Sequence, residues 1–182
     1  MDAVKGNIKS DLRINVPINN IEKFKQVFLY ILTKVGAYYN VGRTVLYKLL
    51  YFIDFDYYEL YEEQLMGLEY IKKEHGPIPK DFLNIVEDMK NNKEVDEVHT
   101  KHFDYEMVKY FPCVEPDLSI LSGRELEHID ATLNRLAHKS ALDISEYSHK
   151  DIPWITAKFE HPIDYDAVFY RNEATSVRSY DN

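Results

Sequence analysis

Apolar residues recur at helical spacing in the first third of the chain. In residues 19–36 they fall on one face, with Asn19 and Glu22 at the spacing of a capping box and Gly36 as a stop signal. Residues 40–63 are apolar over a much wider arc, which is typical of a helix that other parts of the protein surround. The pattern predicts an amphipathic first helix and a central second helix.

The pattern then changes from helical spacing to alternation. Residues 66–71, MGLEYI, alternate and predict a short strand, and residues 74–82, EHGPIPKDF, follow it. Pro77 and Pro79 fix their own φ angles and keep the residue before each of them out of the α-helical region. We therefore expect a rigid turn that sets the angle between a strand and a helix.

Helical spacing returns after this turn. Apolar positions at 82–89 predict a third helix that ends at Asn91 or Asn92. Residues 94–115 are rich in Val, Tyr and Phe with partial alternation. This composition predicts two short strands or a hairpin.

The second half of the chain has clearer helix signals. Ser122 and Glu125 form a capping box ahead of apolar residues at helical spacing, and Ser140 can cap another helix. Residues 153–159 and 164–169 predict two short terminal helices.

These elements predict one domain with an α+β fold that is predominantly α-helical, a helical core with a small antiparallel sheet. Residues 1–16 are interpreted as a flexible lead-in and residues 17–170 as the domain. Residues 171–182 are interpreted as a polar tail that frays.

Composition narrows the functional classes. The chain has 182 residues, 45% of them hydrophobic, and a formal net charge of −9, which repels nucleic-acid phosphates. Its single cysteine, Cys113, has no partner for an internal disulfide, and no apolar leader opens the chain, so a cytoplasmic location is expected. Lys48, Asp54 and Asp56 interrupt the most apolar region, so no membrane span is expected.

Metal and nucleophile chemistry have weak sequence support. His99 and His102 lie three residues apart beside Asp104, but the local pattern is extended, so surface histidines are favoured over metal ligands. Cys113 is not on a glycine-rich elbow, and the stretch NVGRT lacks the spacing of a phosphate-binding loop.

An acid–base pair is the remaining enzymatic hypothesis. His128 and Asp130 could pair with His149 and Asp151 if the fold brings them together. Structural hydrogen bonding is the favoured role for these side chains. No catalytic, metal-binding or cofactor-binding residue is predicted, and we expect a protein that is not an enzyme.

Several ordered blocks of the sequence resemble one known family. The stretch LYKLLYFIDFDYYELYEEQLMGLEYIKKEHGPIPKDFLNIVEDM is similar to the Panacea domain of SocA-like antitoxins, as are LSGRELEHIDATLNRL and SALDISEYSHKDIPWITA. The resemblance spans about residues 25–160. The residues that carry it are Lys48, Leu49, Leu50, Tyr51, Asp54, Phe55, Gly67, Tyr70, Gly76, Pro77, Pro79, Leu121, Ser122, Glu125, Ile129, Asp130, Ser148, His149 and Trp154.

The resemblance implies an antitoxin of a toxin–antitoxin system. Such a protein neutralises a cognate protein toxin, encoded by an adjacent gene, by direct binding or by presenting the toxin to a protease. The alternative is a phage or mobile-element protein of regulatory or binding function, either a repressor of its own operon or a blocker of a host protein. Lys80 and Lys150 depart from the acidic residues expected at these positions of the family.

The motif residues have two interpretations. In the first, Gly76, Pro77 and Pro79 fix a chain reversal. His75, His149 and Trp154 pack nearby and lock the C-terminal helix onto it, and this structural interpretation is favoured. In the second, the same cluster is part of the toxin-binding face. The residues assigned to the motif core or to toxin binding are Asp54, Tyr58, Tyr70, His75, Gly76, Pro77, Pro79, Asp130, Ser148, His149 and Trp154.

The expected binding mechanism is occlusion, in which Tyr and Phe anchors bury against the toxin and acidic side chains complement a basic surface. Exposed tyrosines in the central region would fit this mechanism, and buried ones would weaken it.

Overall fold

The computed structural model describes residues 18–179, so the predicted lead-in 1–16 lies outside the described residues. Within this range the fold is α+β and predominantly helical, as predicted, but the strands form two separate two-stranded antiparallel sheets. The helices are α1 (Ile18–Val35), α2 (Arg43–Tyr61), α3 (Phe82–Asn91), α4 (Gly123–Leu136), α5 (Ala141–Ser148) and α6 (Ile152–Thr156). The strands are β1 (Tyr70–Lys73), β2 (Gly76–Pro79), β3 (Val95–His102) and β4 (Tyr105–Pro112), and 3-10 turns cover Leu118–Ile120 and Tyr165–Tyr170.

Helix α2 is the central element, as its wide apolar arc predicts. It packs against β2, β4, α4, α5 and the 3-10 turn at Tyr165–Tyr170. Nearly all of its side chains between Val45 and Glu59 are buried, including several charged ones. None of the helices in residues 18–179 combines the length and apolar character of a membrane span.

Helix α1 follows the prediction at its end but not at its start. The helical backbone already includes Ile18 and Asn19, so Asn19 is not the flanking residue that a capping box requires. The helix ends at Val35, and the Gly36 N–H donates to Leu32 O at 2.9 Å. A Cβ at Gly36 would lie 2.5 Å from that carbonyl oxygen, so the stop signal has a steric basis.

The proline-containing stretch is a strand, which corrects the predicted turn. The chain reverses at Glu74–His75, and Gly76–Pro79 then pairs with β1 in the register Tyr70↔Pro79 to Lys73↔Gly76. Both prolines are compatible with extended backbone on an edge strand, where a missing N–H leaves no gap in the ladder. The predicted strand at 66–71 begins only at Tyr70.

The hairpin and the later helices agree with the sequence. Strands β3 and β4 pair from Val95↔Pro112 to His102↔Tyr105, within the predicted range 94–115. Helix α4 has both bonds of the predicted capping box, and the Ser140 side chain accepts from the Asp143 N–H at the start of α5.

Aromatic rings join the hairpin to the helices in the core. Phe28 of α1 lies edge-on to Phe82 of α3, with ring centroids 5.3 Å apart, and to Tyr110 of β4 at 5.8 Å. Tyr47 of α2 lies 4.9 Å from the Phe82 ring. Burial of these large rings supplies much of the hydrophobic stabilisation in this part of the fold.

The segment after Tyr170 is packed, which corrects the expectation that it frays from Arg171 onward. Arg171 is 6% exposed, and its guanidinium donates to Asp56 at 2.8 Å, to Glu59 at 2.9 Å and to both carboxylate oxygens of Asp151 at 2.8 and 2.9 Å. Thr175 Oγ1 adds a hydrogen bond to Asp151 Oδ1 at 2.7 Å. Because these carboxylates are buried, the C-terminal segment supplies the cation that they require.

Removal of this cation should strongly destabilise the protein. Arg171→Ala leaves three buried carboxylates without their main partner, so we expect the free energy of unfolding to fall by about 3–5 kcal/mol. Chemical denaturation measures the change. The control is Arg178→Ala, which removes an exposed arginine of the same segment whose Nε donates to the Glu59 carbonyl oxygen at 2.8 Å. Loss of that single hydrogen bond should cost about 1 kcal/mol or less. Equal small losses in both variants would contradict a structural role for Arg171.

Candidate functional site

The motif residues surround the middle of α2, where a buried lysine contacts β2. Lys48 is 1% exposed, and its Nζ donates to the Pro77 carbonyl oxygen at 3.1 Å. Burial lowers the pKa of Lys48 to about 7. The carbonyl of the proline motif is therefore a partner of the lysine in the helix motif.

Gly76 lets β2 approach this lysine closely. Its φ of 105° lies in a region that favours glycine, and an added Cβ would lie 2.4 Å from both Lys48 Cε and Ser148 Oγ. Ser148 is fully buried and donates to the Ser145 carbonyl oxygen at 2.7 Å. Three motif residues from α2, β2 and the end of α5 thus meet at one point.

Asp54 organises the loop after α2. Its fully buried carboxylate accepts from the Met66 N–H at 2.7 Å, the Gly67 N–H at 3.1 Å and the Leu68 N–H at 3.3 Å. The Tyr70 hydroxyl lies 2.8 Å from Asp54 Oδ2 and 2.9 Å from the Leu50 carbonyl oxygen. Burial raises the pKa of Asp54, and the backbone donors oppose that shift. These bonds hold residues 66–68 as a loop, which explains why the strand starts later than predicted.

His149 and Trp154 come together on the outer side of the motif. Their rings stack with centroids 4.4 Å apart, and the Lys72 ammonium lies 4.3 Å from the Trp154 centroid. Trp154 Nε1 donates to the Lys73 carbonyl oxygen at 3.3 Å, so α6 is fixed to β1. His75 is exposed at the reversal, and no ring contact or hydrogen bond joins it to this stack within residues 18–179.

Two predicted residues lie away from this cluster. The Tyr58 hydroxyl donates to Asp166 Oδ1 at 2.6 Å, and that bond raises the pKa of Tyr58 to about 12. Asp130 accepts from the Tyr30 hydroxyl at 2.8 Å and so connects α4 to α1. The structure therefore does not gather all predicted site residues into one face.

The residues of the acid–base hypothesis have separate partners. His128 is buried with a ring nitrogen 2.9 Å from the Ile53 carbonyl oxygen, and burial lowers its pKa. Asp130 bonds Tyr30, and His149 stacks on Trp154. His128, Asp130 and Asp151 have the structural hydrogen bonds that the sequence analysis favoured, whereas the buried Nε2 of His149 has no hydrogen-bond partner within residues 18–179.

The histidines of the hairpin are at its surface. His99 Nε2 lies 3.0 Å from Glu97 Oε1, and the His102 ring lies 5.7 Å from the Tyr39 ring. Within residues 18–179, no group of three or more His, Cys, Asp or Glu side chains is arranged to hold a metal ion.

The tyrosines of α2 are mostly unavailable for binding. Three of them, Tyr47, Tyr51 and Tyr57, are buried. Tyr58 is half-buried, and Tyr61 is 36% exposed. This burial weakens the expectation that tyrosines of the central region anchor the toxin.

Sequence reasoning missed the ionic cluster below the motif. Asp56 and Glu59 face Arg171, and the Tyr51 hydroxyl donates to Asp151 Oδ2 at 2.6 Å. Acidic residues in so apolar a helix were a signal that buried partners exist. The polar segment around Arg171 carried no such signal.

The family model of SocA-like antitoxins, Panacea domain, matches residues 46–155. The chain belongs to this family. No curated protein and no solved structure matches the chain.

The matched range explains how the Panacea motif and the fold are related. It begins inside α2 and ends inside α6, so it contains the Lys48–Gly76–Ser148 contact and the Asp54 loop. Helix α1 and Arg171 lie outside it. The Panacea motif therefore specifies the junction of α2 with the β1–β2 sheet and α5.

The contact at Gly76 should not tolerate a side chain. Gly76→Ala places a methyl group against Lys48 and Ser148 at an unfavourable φ, so we expect the free energy of unfolding to fall by about 3 kcal/mol or more. Gly123→Ala is the matched control, because a Cβ there meets no atom within 4 Å. Denaturant titration of both variants measures the effect, and equal stability would contradict the close approach.

The buried lysine should give stability a distinct pH dependence. The folded pKa of about 7 lies below the ordinary value of 10.5, so the unfolded state binds the extra proton between these values. Lys48 therefore makes stability rise with pH in this window, by up to about 1.4 kcal/mol per pH unit. Lys48→Met should remove this rise.

Urea titrations from about pH 7 to pH 10 test this sign. As pH rises, the free energy of unfolding of the wild type should increase relative to that of Lys48→Met. The loss of the hydrogen bond to Pro77 lowers the stability of the variant by the same amount at every pH. Lys101→Met, at an exposed position, should follow the wild-type curve. Parallel curves for Lys48→Met and the wild type would contradict the lowered pKa.

Proposed function

We propose that this protein is an antitoxin that neutralises a protein toxin by binding it directly, and that it is a binding protein and not an enzyme. The observation that carries the proposal is the match of the SocA-like antitoxin family over residues 46–155. The family supports a toxin as partner in general. The adjacent gene is the candidate source of that toxin.

The geometry of the motif fits a scaffold for binding. The Asp54 carboxylate accepts hydrogen bonds from three backbone N–H groups and from the Tyr70 hydroxyl. The Asp151 carboxylate accepts hydrogen bonds from Tyr51, Arg171 and Thr175. Reacting groups must reach a substrate, whereas these side chains are buried and paired inside the fold. The motif thus supports a rigid frame that presents other side chains.

Occlusion of the toxin remains the proposed mechanism, with different anchors. Since most tyrosines of α2 are buried, the anchors must come from aromatic side chains on the surface. A net charge of −9 favours association with a basic partner and raises its association rate. Within residues 18–179 the exposed aromatic residues are Tyr38, Tyr39, Tyr61, Phe103, Tyr105, Phe159, Phe169 and Tyr170.

Presentation of the toxin to a protease is a variant of this proposal. It begins with the same binding step and differs in the fate of the toxin. The two mechanisms predict different amounts of toxin in cells that survive.

Co-expression with the adjacent gene tests the function. Induction of that gene alone should stop growth, and co-expression of this protein should restore growth and give a complex that co-purifies. Loss of the toxin from rescued cells, with its return in a strain lacking ATP-dependent proteases, would assign neutralisation to degradation. A toxic neighbour that is not rescued, or a neighbour without toxicity, would contradict the proposed pairing.

Gly76→Ala is a useful companion variant in this assay. It should lose rescue because the fold is destabilised, and its soluble level should fall in parallel. A stable, soluble Gly76→Ala protein that fails to bind would instead place the motif in the interface.

A further inference from the structure

We propose that the outward face of the β3–β4 hairpin, with the adjoining α1–α2 loop, is the surface that docks the toxin, and that the toxin presents a basic surface with an apolar centre. This inference rests on the proposed function and names the interface that the function requires. The surface is called the hairpin face and consists of Tyr38, Tyr39, Val98, His102, Phe103 and Tyr105.

Strand pairing separates the two sides of the hairpin. Residues directly opposite each other in an antiparallel pair point to the same side of the sheet. Tyr110 is buried in the core, so the side that carries Tyr110 and Val108 is the inner one. Residues at the alternate positions of both strands point to the opposite, outer side. These are the pairs Val98↔Lys109, Thr100↔Met107 and His102↔Tyr105.

The outer side continues into the loop between α1 and α2. Lys109 Nζ donates to the Tyr38 carbonyl oxygen at 2.7 Å and to the Val41 carbonyl oxygen at 3.1 Å, which holds the loop against β4. The Tyr39 ring lies 5.7 Å from the His102 ring, yet Tyr39 remains 73% exposed. Loop and hairpin together present one aromatic surface.

Phe103 at the hairpin tip is locally unfavourable in two respects. Its φ of 55° is in the left-handed region, where a bulky residue is strained, and its side chain is 86% exposed to water. Glycine or asparagine would relieve the backbone strain. Within residues 18–179 the Phe103 ring makes an edge contact with the His102 ring, with centroids 4.8 Å apart, but this contact leaves most of the side chain in water. A contact made on binding therefore explains why phenylalanine stands at this strained position.

The charge around the hairpin face favours a basic partner. Asp96 lies on the outer side of the hairpin and Asp104 at its tip, whereas Glu97, Lys101 and Glu106 lie on the inner side. The cation on the outer side, Lys109, is held by the loop carbonyls. Asp96 and Asp104 are exposed and make no ion pair within residues 18–179. A second copy of the chain would bring another net charge of −9 to this surface, so self-association is disfavoured.

Surface variants can test the face without disturbing the core. Phe103→Asn relieves the strain at the tip, and Tyr105→Ser removes a ring that is 78% exposed. The matched control is Tyr170→Ser, which removes a ring that is 79% exposed on the 3-10 turn packed against α2 and α6. All three variants should have thermal stabilities close to the wild type, and Phe103→Asn should be at least as stable.

Binding to the purified product of the adjacent gene, measured by titration calorimetry, gives the decisive comparison. Phe103→Asn and Tyr105→Ser should each weaken binding by about tenfold or more, and their combination should abolish growth rescue. Tyr170→Ser should bind within about twofold of the wild type. Asp104→Lys should slow association, with a larger effect at low salt.

The failures of the two proposals are distinguishable. A wild-type protein that neither binds nor rescues contradicts the proposed function and removes the basis of this inference. A wild-type protein that binds while Phe103→Asn and Tyr105→Ser bind equally well overturns the hairpin face alone. A homodimer that Tyr105→Ser disrupts would overturn the toxin as its occupant.

Discussion

The fold depends on the need to satisfy charged side chains buried in α2. Lys48, Asp54, Asp56 and Glu59 lie in a helix that protein surrounds, and each would be strongly destabilising without a partner. Lys48 finds its partner in β2 and Asp54 in the loop before β1. Asp56 and Glu59 share Arg171 of the C-terminal segment, and Arg135 of α4 also bonds Asp56. The helix therefore selects which segments can pack on it.

This constraint explains why the Panacea motif lies inside the protein. Its glycine and prolines shape β2 so that a carbonyl reaches Lys48, and its aspartate holds the loop that leads into β1. His149 and Trp154 then fix α6 on the same sheet. A motif used in this way builds a frame, and partner recognition falls to surfaces such as the hairpin face.

Local patterns predicted much of this fold. Helical periodicity, the capping box at Ser122 and alternation in the hairpin are determined by neighbouring residues, which a sequence displays directly. The proline stretch was misassigned because its backbone preferences suit a turn and an edge strand equally. Arg171 was missed because its partners Asp56 and Glu59 lie more than 100 positions earlier, and a polar segment has the same composition whether it is exposed or paired with buried acids.

Hydrogen–deuterium exchange of the protein with and without the adjacent gene's product tests the separation of frame and interface most directly. The account predicts that binding slows exchange in residues 98–107 and in the loop around Tyr38 and Tyr39. Residues 74–79 and 148–154 should exchange at the same rate in the free and bound protein. Protection confined to those motif segments, with an unchanged hairpin, would contradict the account.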